Sequence, residues 1–183
     1  MKNDSVHNDV MGVGWSGFRL QRQGDWLTQN CKRFPLAVQL LKDAKAPLAM
    51  RGVIIARQKP GSEVDLHSDG RNIFLTAHFG LSVPEECDIT CGGMTQTWEE
   101  DGCIVFDTSF MHSVSNRSDE DRFVLMVDFW HPDLTWQERE ALEYIYDFRT
   151  KFEQGKIEYL EKMPKGFWEQ FEMMAPWIQK AIV

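Results

Sequence analysis

The segment CDITCGGMTQTWEEDGCIVFD, residues 87–107, contains the clearest local signal of the fold class. Two short strand-like runs lie on either side of Gly92–Gly93, and paired glycines between such runs are a strong signal for a β-hairpin. A third run, CIVFD, follows after a short acidic turn. Several short strands at this close spacing are typical of a β-sandwich or a jelly-roll barrel.

The β pattern continues on both sides of this segment and spans residues 51–134. Upstream, RGVIIARQ is stopped by the Pro60–Gly61 turn, and NIFLTAHFGLSV is stopped by Pro84. Downstream, RFVLMVDFW is another long apolar run. The sequence therefore predicts a mainly β fold whose core strands lie in this region.

A helix is predicted on the N-terminal side of the β region, within a lead-in of mixed character. It covers approximately Pro35–Lys45, with Leu36, Leu40 and Leu41 on one stripe. This stripe is expected to pack on the rest of the domain.

The region after residue 134 is predicted to be helical. Thr135 and Glu138 have the spacing of a capping box, in which each side chain caps the backbone of the other at a helix start. A second helical run follows Pro164, and Pro176 is expected to kink it. The apolar stripe of that second run consists of Phe167, Phe171, Met174 and Ile178. Such a stripe packs on its own domain or forms a homodimer contact, and both alternatives remain open.

Composition and charge exclude several classes of protein. The 183 residues have a net charge of −8, which argues against a nucleic-acid partner or a broad anionic membrane surface. No run approaches the roughly 20 apolar residues of a membrane span, and the first residues lack the apolar core of a signal peptide. We therefore expect a cytoplasmic protein that does not bind membranes.

The four cysteines are expected to be thiols in a reducing compartment. Cys87 and Cys91 are the one closely spaced pair, but the segment between them is strand-like. Residues four apart on a strand lie about 13 Å apart. A disulfide needs Cα atoms within roughly 7 Å, so these two cysteines are not expected to be bonded to each other.

A histidine followed two residues later by an aspartate could supply two metal ligands. The motif occurs at His7/Asp9, His67/Asp69 and His131/Asp133. The first lies in a polar terminus, where an exposed pair is expected. The third ends a strand, has no histidine downstream, and is interpreted as the start of the helical region.

The middle motif has the best context for a metal site. If the segment around His67 is extended, His67 and Asp69 point to the same face, with their Cα atoms roughly 6.5 Å apart. His112 lies at the end of another predicted strand, which an antiparallel pairing could bring to the same point. Two histidines and a carboxylate form the facial triad of non-haem iron enzymes, with positions left open.

Residues 51–134 also resemble the catalytic domain of the aspartyl/asparaginyl β-hydroxylase family. The matching segments are KPGSEVDLHSDGRN, LTAHFGLSVP, TQTWEEDGCIVFDTSFMHSVSN and DRFVLMVDFWHPDLT, in the family's order and spacing. GWSGFRLQRQGDWLTQNCKRFP resembles the family's entry segment less closely, and the helical tail lies outside the resemblance. The resemblance implies a double-stranded β-helix that uses Fe(II), 2-oxoglutarate and O2.

Carried over residue by residue, the resemblance implies roles for four side chains. His67 and His112 match the two iron ligands, and Arg122 matches the arginine that pairs with the far carboxylate of 2-oxoglutarate. An arginine suits that role because its planar fork can bind a carboxylate through two hydrogen bonds. His78 matches a histidine that contacts the co-substrate near the metal. Asp69 stands where animal members have glycine, and we predict that it is the third iron ligand.

Two other departures from the animal members concern the substrate. Thr76 and Phe74 stand where those members carry basic residues that handle acidic groups, so recognition of an acidic substrate is not expected. We also expect a catalytic unit without the membrane anchor and helical repeats of the animal enzymes. Trp98, Phe110 and Phe129 are candidates for the walls of the site.

The sequence thus predicts an oxygenase that hydroxylates an aliphatic carbon of a peptidyl or amino-acid-derived substrate. One alternative is a free amino-acid or small-molecule hydroxylase of the same chemistry. Another, from a different class, is a non-catalytic cupin-like binding module. In domain terms, residues 1–134 are predicted to form the catalytic domain, and residues 135–183 a helical extension packed on it.

Overall fold

The computed structural model describes residues 14–153, which contain two antiparallel β-sheets and three helices. The elements are β1 Trp15–Arg22, β2 Asp25–Trp26, α1 Thr28–Cys31, α2 Pro35–Asp43, β3 Leu48–Gln58, β4 Ser62–His67, β5 Phe74–Ser82, β6 Cys87–Cys91, β7 Met94–Thr97, β8 Cys103–Phe106, β9 His112–Asn116, β10 Arg122–Trp130 and α3 Trp136–Glu153. The larger sheet has the order β2-β1-β3-β10-β5-β8, and the smaller has the order β4-β9-β6-β7.

The strands from β3 to β10 have the topology of a double-stranded β-helix. The chain passes from one sheet to the other at almost every step, and only the β6–β7 hairpin keeps two consecutive strands in one sheet. Each sheet consequently pairs strands that are distant in sequence, such as β3 with β10 and β4 with β9. This is the eight-stranded jelly-roll arrangement, and the predicted fold class is confirmed.

Alternation along the long strands separates two apolar clusters. On β3, Val53 and Ile55 join Val38 of α2 in a cluster on the outer face of the larger sheet. Ala56 belongs instead to a second cluster with Trp98, within the barrel. Since successive strand residues point to opposite faces, one strand supplies both clusters, and the barrel interior is left for the site.

The hairpin predicted at Gly92–Gly93 is present and joins β6 to β7. Both glycines have positive φ, 57° and 82°, a conformation that side chains disfavour and that two-residue hairpin turns require. All four cysteines are free thiols, and Cys87 and Cys91 occupy one face of β6, as expected.

Two expectations about the N-terminal region need correction. The predicted helix ends at Asp43 rather than Lys45, and Leu36 and Leu40 are 70% and 60% exposed. The contacts with the core are made by Val38 and Leu41 instead, because the helix turns that face toward the outer cluster. The lead-in also contains β1, whose pairing with β3 is too distant in sequence to appear as a local pattern.

The predicted start of the C-terminal helix is confirmed. The backbone N–H of Thr135 donates to Glu138 Oε2 (2.7 Å), and the backbone N–H of Glu138 donates to Thr135 Oγ1 (3.3 Å). Among the described residues, those up to Glu143 belong to one compact unit and those from Tyr144 on to another. The first of the three His-x-Asp motifs and the helical run after Pro164, with its stripe, kink and dimer contact, lie outside the described residues.

Within residues 14–153, no helix has the length and apolar character needed to cross a bilayer. The division into a catalytic domain and a packed extension stays a prediction, as does the cytoplasmic location.

Candidate functional site

The pairing of β4 with β9 places His67 directly opposite His112. The centres of the two imidazole rings lie 4.2 Å apart. A β-bulge precedes His67, because the register shifts between Val64 and the histidine. In regular alternation Val64 and Leu66 would share the inner face; the bulge turns His67 inward and leaves Leu66 60% exposed.

Backbone carbonyls fix the tautomer of both imidazoles. His67 Nδ1 lies 2.6 Å from the carbonyl oxygen of Asp65, and His112 Nδ1 lies 2.9 Å from that of Phe110. Because a carbonyl oxygen only accepts hydrogen bonds, each Nδ1 carries the proton and each Nε2 keeps its lone pair. His67 Nε2 is buried and has no hydrogen-bond partner among the described residues. This is the arrangement of an imidazole prepared to bind a metal.

Asp69 completes the group, although β4 ends before it, at His67. The extended geometry expected from the sequence therefore does not position this carboxylate. Its backbone N–H donates instead to the Thr108 carbonyl (2.9 Å), which ties it to the loop that precedes β9. The ligand atoms of His67, Asp69 and His112 all lie within 4.8 Å of one another, so the three side chains could hold one metal ion.

Arg51 of β3 holds the Asp69 carboxylate from behind. Its Nη1 donates to Asp69 Oδ2, and its Nε lies 3.3 Å from Asp128 Oδ2. Burial raises the pKa of the Asp69 carboxyl, but attraction and a hydrogen bond from Arg51, with help from Thr108, outweigh it, and the pKa lies below its usual range. The carboxylate is therefore charged at neutral pH, as a metal ligand must be.

The sequence patterns did not single out Arg51 as a residue of the site. The signal that could have found it is an arginine at the start of the apolar run GVIIA in a strand that pairs on both edges. Asp128, its second partner, also accepts a hydrogen bond from Thr76 Oγ1 (2.5 Å). Burial raises the pKa of Asp128, although Arg51 opposes this effect. The Arg51 guanidinium thus links the Asp69 carboxylate to the sheet behind it.

Arg122 is the largest of the fully buried side chains, with 2% of its surface exposed. Its guanidinium carbon lies 4.3 Å from the centre of the Trp98 ring, a cation–π contact. Its Nε and Nη1 have no hydrogen-bond partner in the part of the chain that the structure describes. Burial lowers its pKa to about 10, so it remains charged at pH 7. A buried cation with two unpaired donors is costly unless an anion binds to it.

His78 of β5 lies between the rings of Trp98 and Phe106. The ring centres are 5.9 Å and 4.8 Å away, stacked on the first and edge-on to the second. Neither of its nitrogens has a hydrogen-bond partner within residues 14–153. Burial, followed by repulsion from Arg122, lowers the pKa of His78 to about 3, so the ring is neutral at pH 7. A neutral ring can both donate to and accept from a bound molecule.

One cavity of about 40 Å³, here termed the inner cavity, unites these groups. It is lined by His67, Asp69, His112, His78, Arg122 and Arg51. Apolar walls complete it, contributed by Trp15, Val64, Ile89, Phe106, Val114 and Met126. The structure therefore brings together every residue that the sequence singled out for metal and co-substrate.

The remaining candidates lie elsewhere or have other roles. His131 Nδ1 accepts from the backbone of Asp133, whose side chain is 90% exposed, and neither lines the inner cavity. Trp98 does contact the site, through His78 and Arg122. Phe129 instead packs against the outer apolar cluster. Phe110 is 58% exposed and lines a second cavity, described below.

Comparison with known proteins agrees with this geometry. Residues 1–132 match the family model described as aspartyl/asparaginyl beta-hydroxylase. The chain belongs to this family. The family's name is that of a hydroxylase, which supports an enzyme and agrees with the resemblance noted in the sequence.

Two relatives show the extent of the similarity. Human aspartate beta-hydroxylase domain-containing protein 2 is 33% identical over 145 residues, 76% of this chain and 39% of its own. Mouse aspartyl/asparaginyl beta-hydroxylase is 39% identical over 134 residues, 72% of this chain and 18% of its own. The chain thus spans well under half the length of these relatives. Among solved structures, KdgF from Halomonas sp. aligns over 70% of this chain and 87% of its own, with a TM-score of 0.45 and 10% identity.

Proposed function

We propose that this protein is an Fe(II)- and 2-oxoglutarate-dependent oxygenase that hydroxylates an aliphatic carbon. The observation that carries the proposal is the convergence, in one buried cavity, of a His–Asp–His group with an arginine whose donors are unpaired. When bound, Fe(II) and 2-oxoglutarate supply the oxidising chemistry, with O2 as the oxidant, that inserts a hydroxyl group into a C–H bond.

The donor set suits Fe(II). His67 and His112 present Nε2 lone pairs, and Asp69 presents a charged carboxylate. Two imidazoles and one carboxylate are the facial triad of non-haem Fe(II) oxygenases, and this set leaves positions open for other ligands. Because Arg51 holds one Asp69 oxygen, the carboxylate is oriented by a partner behind it, as metal ligands commonly are.

The groups that line the cavity also suit the charge of the co-substrate. Arg122 would pair with the far carboxylate of 2-oxoglutarate, because its planar fork and its buried, unpaired donors match a planar anion. Trp98 fixes the plane of the guanidinium from one side. His78, kept neutral by burial, would contact the co-substrate between that arginine and the metal. The apolar walls exclude water from the reacting groups.

The test is the conversion of 2-oxoglutarate to succinate by purified protein supplied with Fe(II) and O2. We expect the wild type to form succinate and the rate of succinate formation in His112→Ala to fall roughly 100-fold or more. Even the loss of a group that only hydrogen-bonds to a metal ligand lowers metal affinity or activity about 10–100-fold. His131→Ala is the matched control, since it removes an imidazole outside the inner cavity.

Succinate formation that survives in His112→Ala would overturn the assignment of the metal site. If the wild type and His131→Ala both bind Fe(II) and 2-oxoglutarate tightly but form no succinate, the protein is instead a non-catalytic cupin-like module.

A further inference from the structure

A second cavity, of about 290 Å³, lies between the end strands of the two sheets. In the part of the chain that the structure describes, β7 is the last strand of the smaller sheet and β8 the last strand of the larger. We term this cavity the edge cleft. Its walls come from β6, β7, β8 and the loop after β8.

Strand alternation decides which side chains face the edge cleft. On the smaller sheet, Gln96 pairs with Ile89, and Met94 pairs with Cys91. Ile89 is 3% exposed and belongs to the cluster inside the barrel, so its cross-strand neighbours share that inner face. On β8, Ile104 and Phe106 face inward, because they pair with His78 and Thr76. The side chains directed into the cleft are therefore mostly apolar.

The edge cleft adjoins the inner cavity. Ile89 and Phe106 line both. The Phe106 ring centre lies 6.2 Å from that of His112 and 4.8 Å from that of His78. A molecule seated in the cleft would thus lie one side chain away from the proposed iron ligands and co-substrate.

The charges around the cleft disfavour an acidic occupant. None of its lining residues is lysine or arginine, and Asp107 contributes a carboxylate. In the neighbouring cavity, Arg51 is paired with Asp69 and Asp128. Arg122 is the group proposed to bind 2-oxoglutarate. An acidic substrate would therefore lose its hydration without gaining a cation.

The two positions where animal members carry basic residues do not alter this conclusion. Thr76 and Phe74 have no exposed surface. Thr76 donates to Asp128, and the Phe74 ring packs on that of Trp130, 5.1 Å between centres.

We propose that the edge cleft is the substrate site of this enzyme and takes an uncharged, apolar side chain of about the size of leucine or phenylalanine. This inference rests on the proposed function and adds a substrate class to it. The cleft is close to the lower limit of small-molecule sites, about 300 Å³, which suits one such group. The side chain can belong to a free amino acid or to a peptide, and the test separates the two.

The test measures binding of three probes by saturation-transfer NMR: N-acetyl-phenylalaninamide, free phenylalanine, and N-acetyl-glutamic acid α-amide. Protein is used alone and with Zn(II) plus 2-oxoglutarate, so that no turnover occurs. We expect the apolar probes to bind at least roughly tenfold more tightly than the acidic one, the scale of a side-chain discrimination in an apolar pocket. The better binder of the two apolar probes indicates a free or a peptidyl substrate.

Variants on β7 locate the binding. Gln96→Glu places a charge on the inner face with little change of shape, and Thr95→Glu places the same charge on the opposite face of the same exposed strand. We expect the first to weaken the apolar probes roughly tenfold, and the second to change them by less than about twofold. Gln96→Lys should strengthen binding of the acidic probe by a similar factor.

Two results would overturn the inference: wild-type protein that prefers the acidic probe, or apolar binding that responds equally to Gln96→Glu and Thr95→Glu. Succinate formation from 2-oxoglutarate, measured separately, keeps the two proposals distinct. Succinate formation without binding of the apolar probes would reject the cleft as the substrate site and leave the oxygenase assignment intact. Binding of the apolar probes without succinate formation would reject the oxygenase assignment and leave the cleft as an apolar binding site.

Discussion

The inner cavity and the edge cleft share Ile89 and Phe106 as walls, but their other walls differ in chemistry and in origin. In the inner cavity, the candidate metal ligands lie at strand ends, at a β-bulge and in a loop, and Arg122 lies at a strand start, whereas His78 lies within the regular ladder of β5. In the edge cleft, apolar side chains follow regular alternation along three strands.

The difference between the two cavities indicates how one barrel could supply both the proposed reaction and the proposed substrate recognition. The candidate metal ligands, which must converge on a point, are placed where the regular ladder is interrupted, since a bulge or strand end can turn a side chain toward a chosen position. Apolar groups that only need to form a wall can stay in the ladder. Loss of an inner-cavity residue should therefore remove binding of iron or co-substrate, whereas substitutions in the edge cleft should alter substrate selection.

Arg122→Met should have the largest effect on ligand binding in the inner cavity. The variant removes the partner of the co-substrate carboxylate, and we expect 2-oxoglutarate affinity to fall roughly 100-fold or more, the usual scale for a buried charge pair. The thermal unfolding midpoint of the ligand-free protein should not fall, because a buried cation with unpaired donors is removed. Calorimetric titration and thermal unfolding measure the two quantities.

Arg57→Met is the control for Arg122→Met. Arg57 pairs with Asp121 at 2.6 Å on the surface, with 40% of its side chain exposed. Equal 2-oxoglutarate affinity in the two variants, or a strongly destabilised Arg122→Met, would mean that Arg122 is structural.

Asp69→Gly should have an intermediate effect. It removes one of three predicted ligands and recreates the residue of the animal members. We expect Fe(II) affinity, measured by competition with a chelator, to fall about 10–100-fold while His67 and His112 still bind the metal. Asp133→Gly, which removes the exposed carboxylate of another His-x-Asp motif outside the inner cavity, is the control. Unchanged affinity in Asp69→Gly would place this carboxylate behind the ligands.

A separate effect concerns stability rather than binding, and it is a pH dependence that arises from His78. Its pKa is about 3 in the folded protein and about 6.5 when unfolded, so the unfolded chain binds more protons between these values. The free energy of unfolding should fall as pH is lowered from 6.5 toward 3, by about 1.4 kcal/mol per unit at most. Urea titrations at several pH values give the free energy of unfolding of metal-free wild type and of His78→Gln, and the difference between the two proteins isolates the contribution of His78. Parallel curves for the two proteins would contradict a buried, neutral imidazole.

The strands and the hairpin could be predicted from the sequence because their signals are local. Gly92–Gly93 needs only its two flanking runs, and the capping box at Thr135 needs only four residues. The meeting of His67 with His112 was a hypothesis supported by motif and family resemblance. It depends on the pairing of β4 with β9, which no local pattern shows.

Other features could not be predicted because they depend on tertiary context. Arg51 acquires its role only when β3 lies beside β10, which carries Asp128. The bulge before His67 reverses the expected alternation, and Asp69 is positioned by Thr108 rather than by a strand. The edge cleft exists because β7 and β8 end their sheets, a property of topology and not of composition. The exposed leucines of α2 show the same limit: a stripe predicts a helix face but not its partner.

If one buried site holds both iron and 2-oxoglutarate, an anaerobic titration should detect the two together. Fe(II) is added to metal-free protein, 2-oxoglutarate follows, and the charge-transfer absorption of the iron chelate is recorded. We expect an absorption band that saturates at one equivalent of Fe(II) and one equivalent of 2-oxoglutarate. The band should be absent in His112→Ala and in Arg122→Met at the same concentrations. A wild-type protein that forms no such band, or a band that persists unchanged in both variants, would contradict it.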